Sequence, residues 1–333
     1  MIEIKNPYLM FIGDVSDQLA AKTADGVAHW RREWCLGQLR LEGCKADLGL
    51  PDMSVAEAAE AGVKTLIVGV TNQGGFFADT WIKTMNSAID HGMDIASGMH
   101  AKLSSVPGLA EKARAAGRQL FDVRHTDQNF DIGRGHKRSG KRLLTVGTDT
   151  SCGKMFTALT LEKEMRKRGM QADFRATGQT GIFIAGHGVA IDAVVSDFIS
   201  GSVEWLCPEN DPAHWDLVEG QGSIFHAGYA GVTLGLIHGA QPDVMVVCHD
   251  PGRSHMRGTP AIPVRSLSEV IESTTAAARV TNPDVRFIGC SINTSKLTDD
   301  EAEAELERAS QETGLPAVDP VKHGVGVLVD ALE

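Results

Sequence analysis

Short apolar runs alternate with stretches of helical spacing along most of the chain. Tyr8–Ile12 predicts a first strand that ends at Gly13-Asp14. Over 17–31, Leu19, Ala20, Thr23, Val27 and Trp30 fall roughly on one face, which predicts a helix. A turn follows at 47–51. Ser54, with Glu57 three residues on, reads as a capping box opening a helix to Glu60. Thr65–Val70 predicts a buried strand, followed by the turn Thr71–Gly75. Residues 79–91 predict a helix, 94–97 a strand, 107–116 a helix and 119–123 a strand. Strands alternating with helices predict an α/β protein with a parallel, doubly wound sheet, whose binding groups belong on the loops after the strands.

From Asp131 to Arg142 the alternation stops. Arg134, His136, Lys137, Arg138, Lys141 and Arg142 are interspersed with glycines, without apolar periodicity. This predicts a linker between an N-terminal Rossmann-like domain, 1–135, and a C-terminal P-loop-containing domain, 136–333. The segment reads either as a solvated basic loop or as a phosphate-contacting one. Beyond it, strands are predicted at 143–146, 171–177, 215–218, 243–248, 285–293 and 316–319. Helices are predicted at 156–168, 191–199, 268–279 and 298–314. Val232–Ile237 reads as core or as a subunit contact.

Gly147, Thr148, Asp149, Thr150, Ser151, Cys152, Gly153, Lys154 and Met155 sit between a strand and a helix, the setting a phosphate-binding P-loop requires. Converging backbone N–H groups, the helix N-terminus and the lysine all favour an anion. The position after the lysine ordinarily carries the Ser or Thr hydroxyl that binds Mg²⁺. Here it is Met155, a poor ligand for a hard cation, and Thr157 faces elsewhere. The loop is therefore expected to hold phosphate without the usual metal anchor.

Composition narrows the field. The 333 residues favour two domains, and 42% hydrophobic with 23% charged residues is ordinary for a globular protein. A net charge of −11 argues against broad nucleic-acid or anionic-membrane binding. The 6 cysteines are scattered without a CxxC pair, which fits a reducing cytoplasm and predicts neither disulfides nor a metal site. The opening residues do not resemble a signal peptide, and no apolar stretch is long enough to span a membrane. No GxGxxG follows the first strand, which disfavours a nicotinamide-dependent dehydrogenase. A homo-oligomer is the expected assembly.

The opening GTDT, with Glu-Gly-x-Gly after a later strand, is similar to the ATPase branch that includes dethiobiotin synthetase. In that branch an acid corresponding to Glu219 helps hold Mg²⁺. GTDTSCGKM, FRATGQTGI, EGQGS, CHDPGR and TNQGG together resemble a narrower two-domain P-loop family whose characterised members are D-glutamate N-acetyltransferases. The resemblance spans nearly the whole chain. It implies acetyl transfer from acetyl-CoA to the amino group of D-glutamate. Physically, a P-loop that has lost its metal hydroxyl can still cradle the diphosphate of coenzyme A, and the basic linker is a candidate to meet its additional phosphate.

Such chemistry needs a base, oxyanion donors and guanidinium groups for the substrate carboxylates. His249, Asp250 and Glu219 are candidates for the base. Gln179 and Gln221 are candidate donors. Arg175, Arg253 and Arg257 are candidates for the carboxylates, and Asn72 for the amino acid. Plainer roles stand beside these: a structural histidine at 249 and an Asx-type turn at Asp250. Arg175, inside a strand, needs an anionic partner. Cys152 reads as an acetyl-carrying nucleophile or as a residue presenting only its backbone. The competing functions are a Mg-ATP-dependent ligase or kinase acting on a small carboxylate, and a nucleotide-sensing regulator.

Overall fold

In the computed structural model, which describes residues 3–70, 76–125 and 128–332, the chain divides into two compact units. Met1–Asp127 with Gly178–Ala193 form one, and Gln128–Thr177 with Val194–Glu333 the other. The predicted turn at 71–75, with Asn72, lies outside the described residues.

The first unit is a parallel sheet of β1 (Tyr8–Gly13), β2 (Cys35–Arg40), β3 (Thr65–Val68), β4 (Asp94–Ser97) and β5 (Leu120–Asp122), in the order β2-β1-β3-β4-β5. Helices α1 (Lys22–Trp30), α2 (Val55–Glu60), α3 (Asp79–Asp90) and α4 (Leu109–Ala115) connect its strands. This is the doubly wound, Rossmann-like arrangement, with the strand order reversing beside β1. The whole of β1 is buried, as its apolar run requires. The capping box of Ser54 and Glu57 opens α2 as predicted.

Strand β2 is absent from the sequence-based expectation. It is an edge strand whose Gly37, Gln38 and Arg40 dilute the apolar alternation. Its open side is partly covered by the following turn: Gln38 N–H donates to the Pro51 carbonyl and Met53 N–H to the Gln38 carbonyl, each at 2.9 Å.

The second unit holds β6 (Lys141–Gly147), α5 (Lys154–Lys167) and β7 (Ala172–Arg175). The chain then contributes α6 (Gln179–Ala185) to the first unit. It returns with α7 (Ile199–Leu206), β8 (Trp215–Val218), α8 (Ala230–Ala240), β9 (Val244–His249) and a hairpin of β10 (His255–Met256) and β11 (Thr259–Pro263). The chain ends with α9 (Leu267–Ala278), β12 (Arg286–Ile292), α10 (Asp299–Thr313), β13 (Ala317–Val318) and α11 (Gly326–Asp330). Six strands pair in parallel as β13-β12-β9-β6-β8-β7. Leu143, Leu217, Val244, Val246 and Ile288 of the sheet pack with Leu161, Met165 and Leu328 in one buried cluster.

Helix α6 falls where the sequence-based expectation assigns no element, between the strand at 171–177 and the helix at 191–199. Gly181, Ile182, Phe183 and Ile184 are buried, a demand for apolar cover that a turn cannot meet. Two glycines make room for it. A Cβ on Gly98 would stand 2.3 Å from Gln179 Oε1, and one on Gly26 2.9 Å from Thr180 Cγ2. The helix expected at 191–199 is instead a pair of short 3₁₀ turns, Ile191–Ala193 and Ser196–Phe198, leading into α7. Val232–Ile237 lies in α8, where Leu236 and Ile237 are buried and Leu234 is partly exposed.

The basic segment is anchored at the start of β6. Lys137 Nζ lies 2.6 Å from Asp243 Oδ1, and the Arg134 and Gly135 N–H groups donate to the Glu204 carboxylate. Arg142 is fully buried, its guanidinium donating to the Arg138 and Ser139 carbonyls. The P-loop leaves the other end of β6, whose 7 residues span roughly 20 Å. The phosphate-contacting reading of this segment therefore fails: its cations sit at the wrong end of the strand, and Lys137 is already paired.

Candidate functional site

The P-loop bridges the end of β6 and the start of α5. Ser151 takes φ 49° and Gly153 φ 107°, so the loop turns through left-handed backbone twice before the helix begins at Lys154. Such successive turns point N–H groups inward as an anion nest. Lys154 is 6% exposed, and its Nζ donates to the Asp149 carbonyl at 2.7 Å.

Two glycines form the corridor this lysine occupies. A Cβ on Gly147 would lie 3.0 Å from Lys154 Nζ. One on Gly220 would lie 3.0 Å from Lys154 Cδ and 1.6 Å from the Thr145 carbonyl oxygen. The Glu-Gly-x-Gly stretch thus has a steric reason for its first glycine.

The wall beneath the loop is closed by sulfur and hydroxyl groups. Cys152 is buried, and its Sγ–H points at the Asp149 and Cys248 carbonyls, 3.2 and 3.3 Å away. The sulfur is turned into the protein, which removes the acetyl-carrying role considered for it. Thr157 Oγ1 donates to the Gly153 carbonyl and lies 2.8 Å from Ser291 Oγ, away from the loop. It does not stand in for the hydroxyl that Met155 lacks. Among the described residues no group of three or more His, Cys, Asp or Glu is placed to hold a metal ion.

Arg253 lies over the outer side of the loop, every nitrogen employed. Nη1 meets Asp149 Oδ2 at 2.9 Å and the Thr150 carbonyl at 2.6 Å; Nη2 meets the Ser151 carbonyl at 2.8 Å; Nε meets Asp250 Oδ2 at 2.9 Å. Burial pushes the Asp149 carboxyl up. The N–H groups of Arg257 and Thr150 and the Arg253 guanidinium outweigh it and hold the group below its ordinary range. Arg253 is therefore a clamp on the loop rather than a free fork for a substrate carboxylate.

The candidate bases differ in what they have left to offer. Asp250 spends Oδ2 on Arg253, with Lys296 Nζ at 3.7 Å, and accepts Gly252 N–H through Oδ1 at 3.1 Å. Glu219 accepts the Thr177 N–H through Oε2 at 2.9 Å, while Thr177 Oγ1 donates to the Glu219 carbonyl at 2.6 Å. Gln221 Nε2 donates to Thr177 Oγ1 at 3.2 Å, which joins it to the same network. His249 is 8% exposed, and its Nδ1 lies 2.9 Å from Thr148 Oγ1. Burial lowers its pKa, so the ring is neutral at neutral pH.

The structure thus brings the P-loop together with His249, Asp250 and Arg253, and ties Gln221 to Glu219 through Thr177. Arg257 N–H also reaches the loop, at Asp149 Oδ2, whereas Gln179 and Arg175 have other partners. Gln179 opens α6 in the first unit, against Gly98. Arg175 Nε is 2.7 Å from Asp216 Oδ1, with side-chain exposures of 11% and 2%. Burial opposes its charge, but Asp216 outweighs that and raises its pKa. The anionic partner that Arg175 requires is this internal carboxylate. His226, buried beneath the hairpin, carries no sequence signal: nothing in Phe225-His226-Ala227-Gly228 distinguishes it from an ordinary loop histidine.

Comparisons with known proteins agree with this architecture. Residues 39–126 match the DUF1611 Rossmann-like domain, and residues 131–329 the DUF1611 P-loop domain, both described as domains of unknown function. The chain is 51% identical over 329 residues to a D-glutamate N-acetyltransferase from Tritonibacter scottomollicae, covering 99% of each. It is 48% identical to a D-glutamate N-acetyltransferase from a Pseudoalteromonas species, covering 98% of this chain and 99% of that protein. The crystal structure of a DUF1611 family protein from Anabaena variabilis superposes with a TM-score of 0.85 at 30% identity, over 98% of this chain and 99% of that one. With both domains matched in order and full-length relatives near half identical, the chain belongs to the DUF1611 family, a Rossmann-like domain joined to a P-loop domain.

Proposed function

We propose that this protein is an N-acetyltransferase that moves the acetyl group of acetyl-CoA to the amino group of D-glutamate, with the P-loop holding the coenzyme A phosphates. The observation that carries the reading is a P-loop with its nest and lysine in place but Met155 where the metal-binding hydroxyl belongs, in a chain half identical to D-glutamate N-acetyltransferases. Such a loop retains what a diphosphate needs and lacks an anchor for the Mg²⁺ of ATP. All six cysteines are free, which supports a reducing, cytoplasmic setting. Among the described residues no helix is long and apolar enough to cross a membrane.

In the reaction the substrate ammonium first loses a proton. Its nitrogen then attacks the thioester carbonyl, the C–N bond forms, the C–S bond breaks, and the departing sulfur is protonated. Of the three candidate bases, His249 has a basic atom to spare. In the tautomer that donates Nδ1–H to Thr148 Oγ1, Nε2 keeps its lone pair and can take the ammonium proton. The depressed pKa keeps that lone pair available to lower pH than an ordinary histidine would. The acid limb of the pH–rate profile is therefore expected below about pH 6.5. His249→Gln should lower kcat by about 100-fold or more and abolish that limb. A limb that persists in the variant would assign the proton to another group.

Calorimetric titration with acetyl-CoA, and with ATP in the presence and absence of Mg²⁺, tests the ligand directly. Acetyl-CoA should saturate the protein, and Mg²⁺ should not improve ATP binding. A thiol-release assay with D-glutamate should then show turnover. Magnesium-dependent ATP consumption with a small carboxylate would replace this reading by a ligase or kinase.

A further inference from the structure

We infer that Arg257 recognises the phosphate monoester on the ribose of coenzyme A; this rests on the proposal that the P-loop cradles the diphosphate. The hairpin of β10 and β11 turns through Arg257-Gly258, with Gly258 at φ +80°. Both backbone polar groups of Arg257 are held. Its N–H donates to Asp149 Oδ2 at 2.9 Å, and its carbonyl accepts from His226 Nε2 at 2.9 Å. His226 is 3% exposed, and its Nδ1 accepts the Gly228 N–H at 3.1 Å, which places the ring proton on Nε2. The tip is thus fastened from below by the P-loop itself and by a buried histidine whose tautomer is set.

The side chain is employed quite differently from that of Arg253. It is exposed, and its guanidinium makes no hydrogen bond or ion pair with any described residue. A backbone pinned to the phosphate loop therefore carries a free planar cation beside it, suited to two-pronged binding of a phosphate.

The ligand's own connectivity selects which anion. The diphosphate occupies the cradle, and the ribose phosphate is tethered to it through a single sugar. It must lie near the loop wherever the pantetheine arm runs, whereas the carboxylates of the acceptor have no such tether. The basic segment at 134–142 cannot serve it from the far end of β6. Arg257 supplies the missing cation.

The test compares coenzyme A with dephospho-CoA, which lacks only this phosphate, by calorimetry on the full chain. The wild-type protein should prefer coenzyme A by about 10-fold or more, as a charge-assisted contact implies. Arg257→Ala should bring coenzyme A down to the level of dephospho-CoA without changing affinity for the latter. Arg257→Lys should retain part of the preference. Equal weakening of both ligands would overturn the assignment, because the loss would then lie in the cradle. An unchanged preference accompanied by a raised KM for D-glutamate would also overturn it and give Arg257 to the acceptor carboxylate. If Lys154→Ala leaves coenzyme A affinity intact, the cradle reading fails and this inference fails with it. That result is distinguishable from failure at Arg257 alone.

Discussion

Lys154→Ala is expected to weaken acetyl-CoA binding by about 100-fold, equivalent to about 2.7 kcal/mol, while the thermal midpoint moves little. The lysine donates to the Asp149 carbonyl and, at 3.6 Å, to Cys152 Sγ, and that carbonyl oxygen is also approached by the Cys152 thiol. Losing the ammonium therefore costs the fold little and costs a diphosphate its only full positive charge within the loop. Lys154→Arg should not rescue binding, because the corridor between Gly147 and Gly220 is already at contact distance along the lysine stem. Affinity by calorimetry beside a melting curve separates the two effects. Unchanged affinity in a well-folded variant would remove the P-loop from the ligand site.

Arg175→Ala is expected to act through stability instead. It would take from Asp216, 2% exposed, its guanidinium partner and leave only His214 Nε2, 3.4 Å away, beside a buried carboxylate. Breaking one half of such a pair costs about 3–5 kcal/mol, or roughly 10 °C in melting temperature for a unit of this size. The KM for D-glutamate should be unchanged in the protein that remains folded. Adding Asp216→Asn should recover part of the loss, since it removes the stranded charge. A raised KM with an unaltered melting curve would restore Arg175 to the substrate.

The comparison of Arg175, Arg253 and Arg257 shows where residue types stop being informative. Arg175 lies in a strand of the P-loop unit and Arg253 and Arg257 follow strands of it, and each suits a carboxylate equally well in the sequence. In the structure the first neutralises Asp216, the second clamps residues 149–151, and only the third is unengaged. A guanidinium's role depends on which anion reaches it first, and that is a property of the fold. The same holds for the candidate bases. Asp250 has both oxygens engaged by neighbours and Glu219 gives Oε2 to the Thr177 N–H, whereas His249 engages only Nδ1 and is kept neutral by burial.

Local patterns alone were enough to establish the alternation of strands and helices, the capping box at Ser54 and the strand–loop–helix setting of Lys154, because each depends on residues a few positions apart. The steric reason for Gly220 and the transfer of α6 to the other unit depend on atoms that only the folded chain brings into contact. So do the fastening of the hairpin tip to Asp149 and the separation of the basic segment from the loop by the length of β6. Hydrophobic periodicity and turn chemistry act along the chain and can be read from it; charge pairing and steric exclusion act across space, and tertiary packing alone decides them.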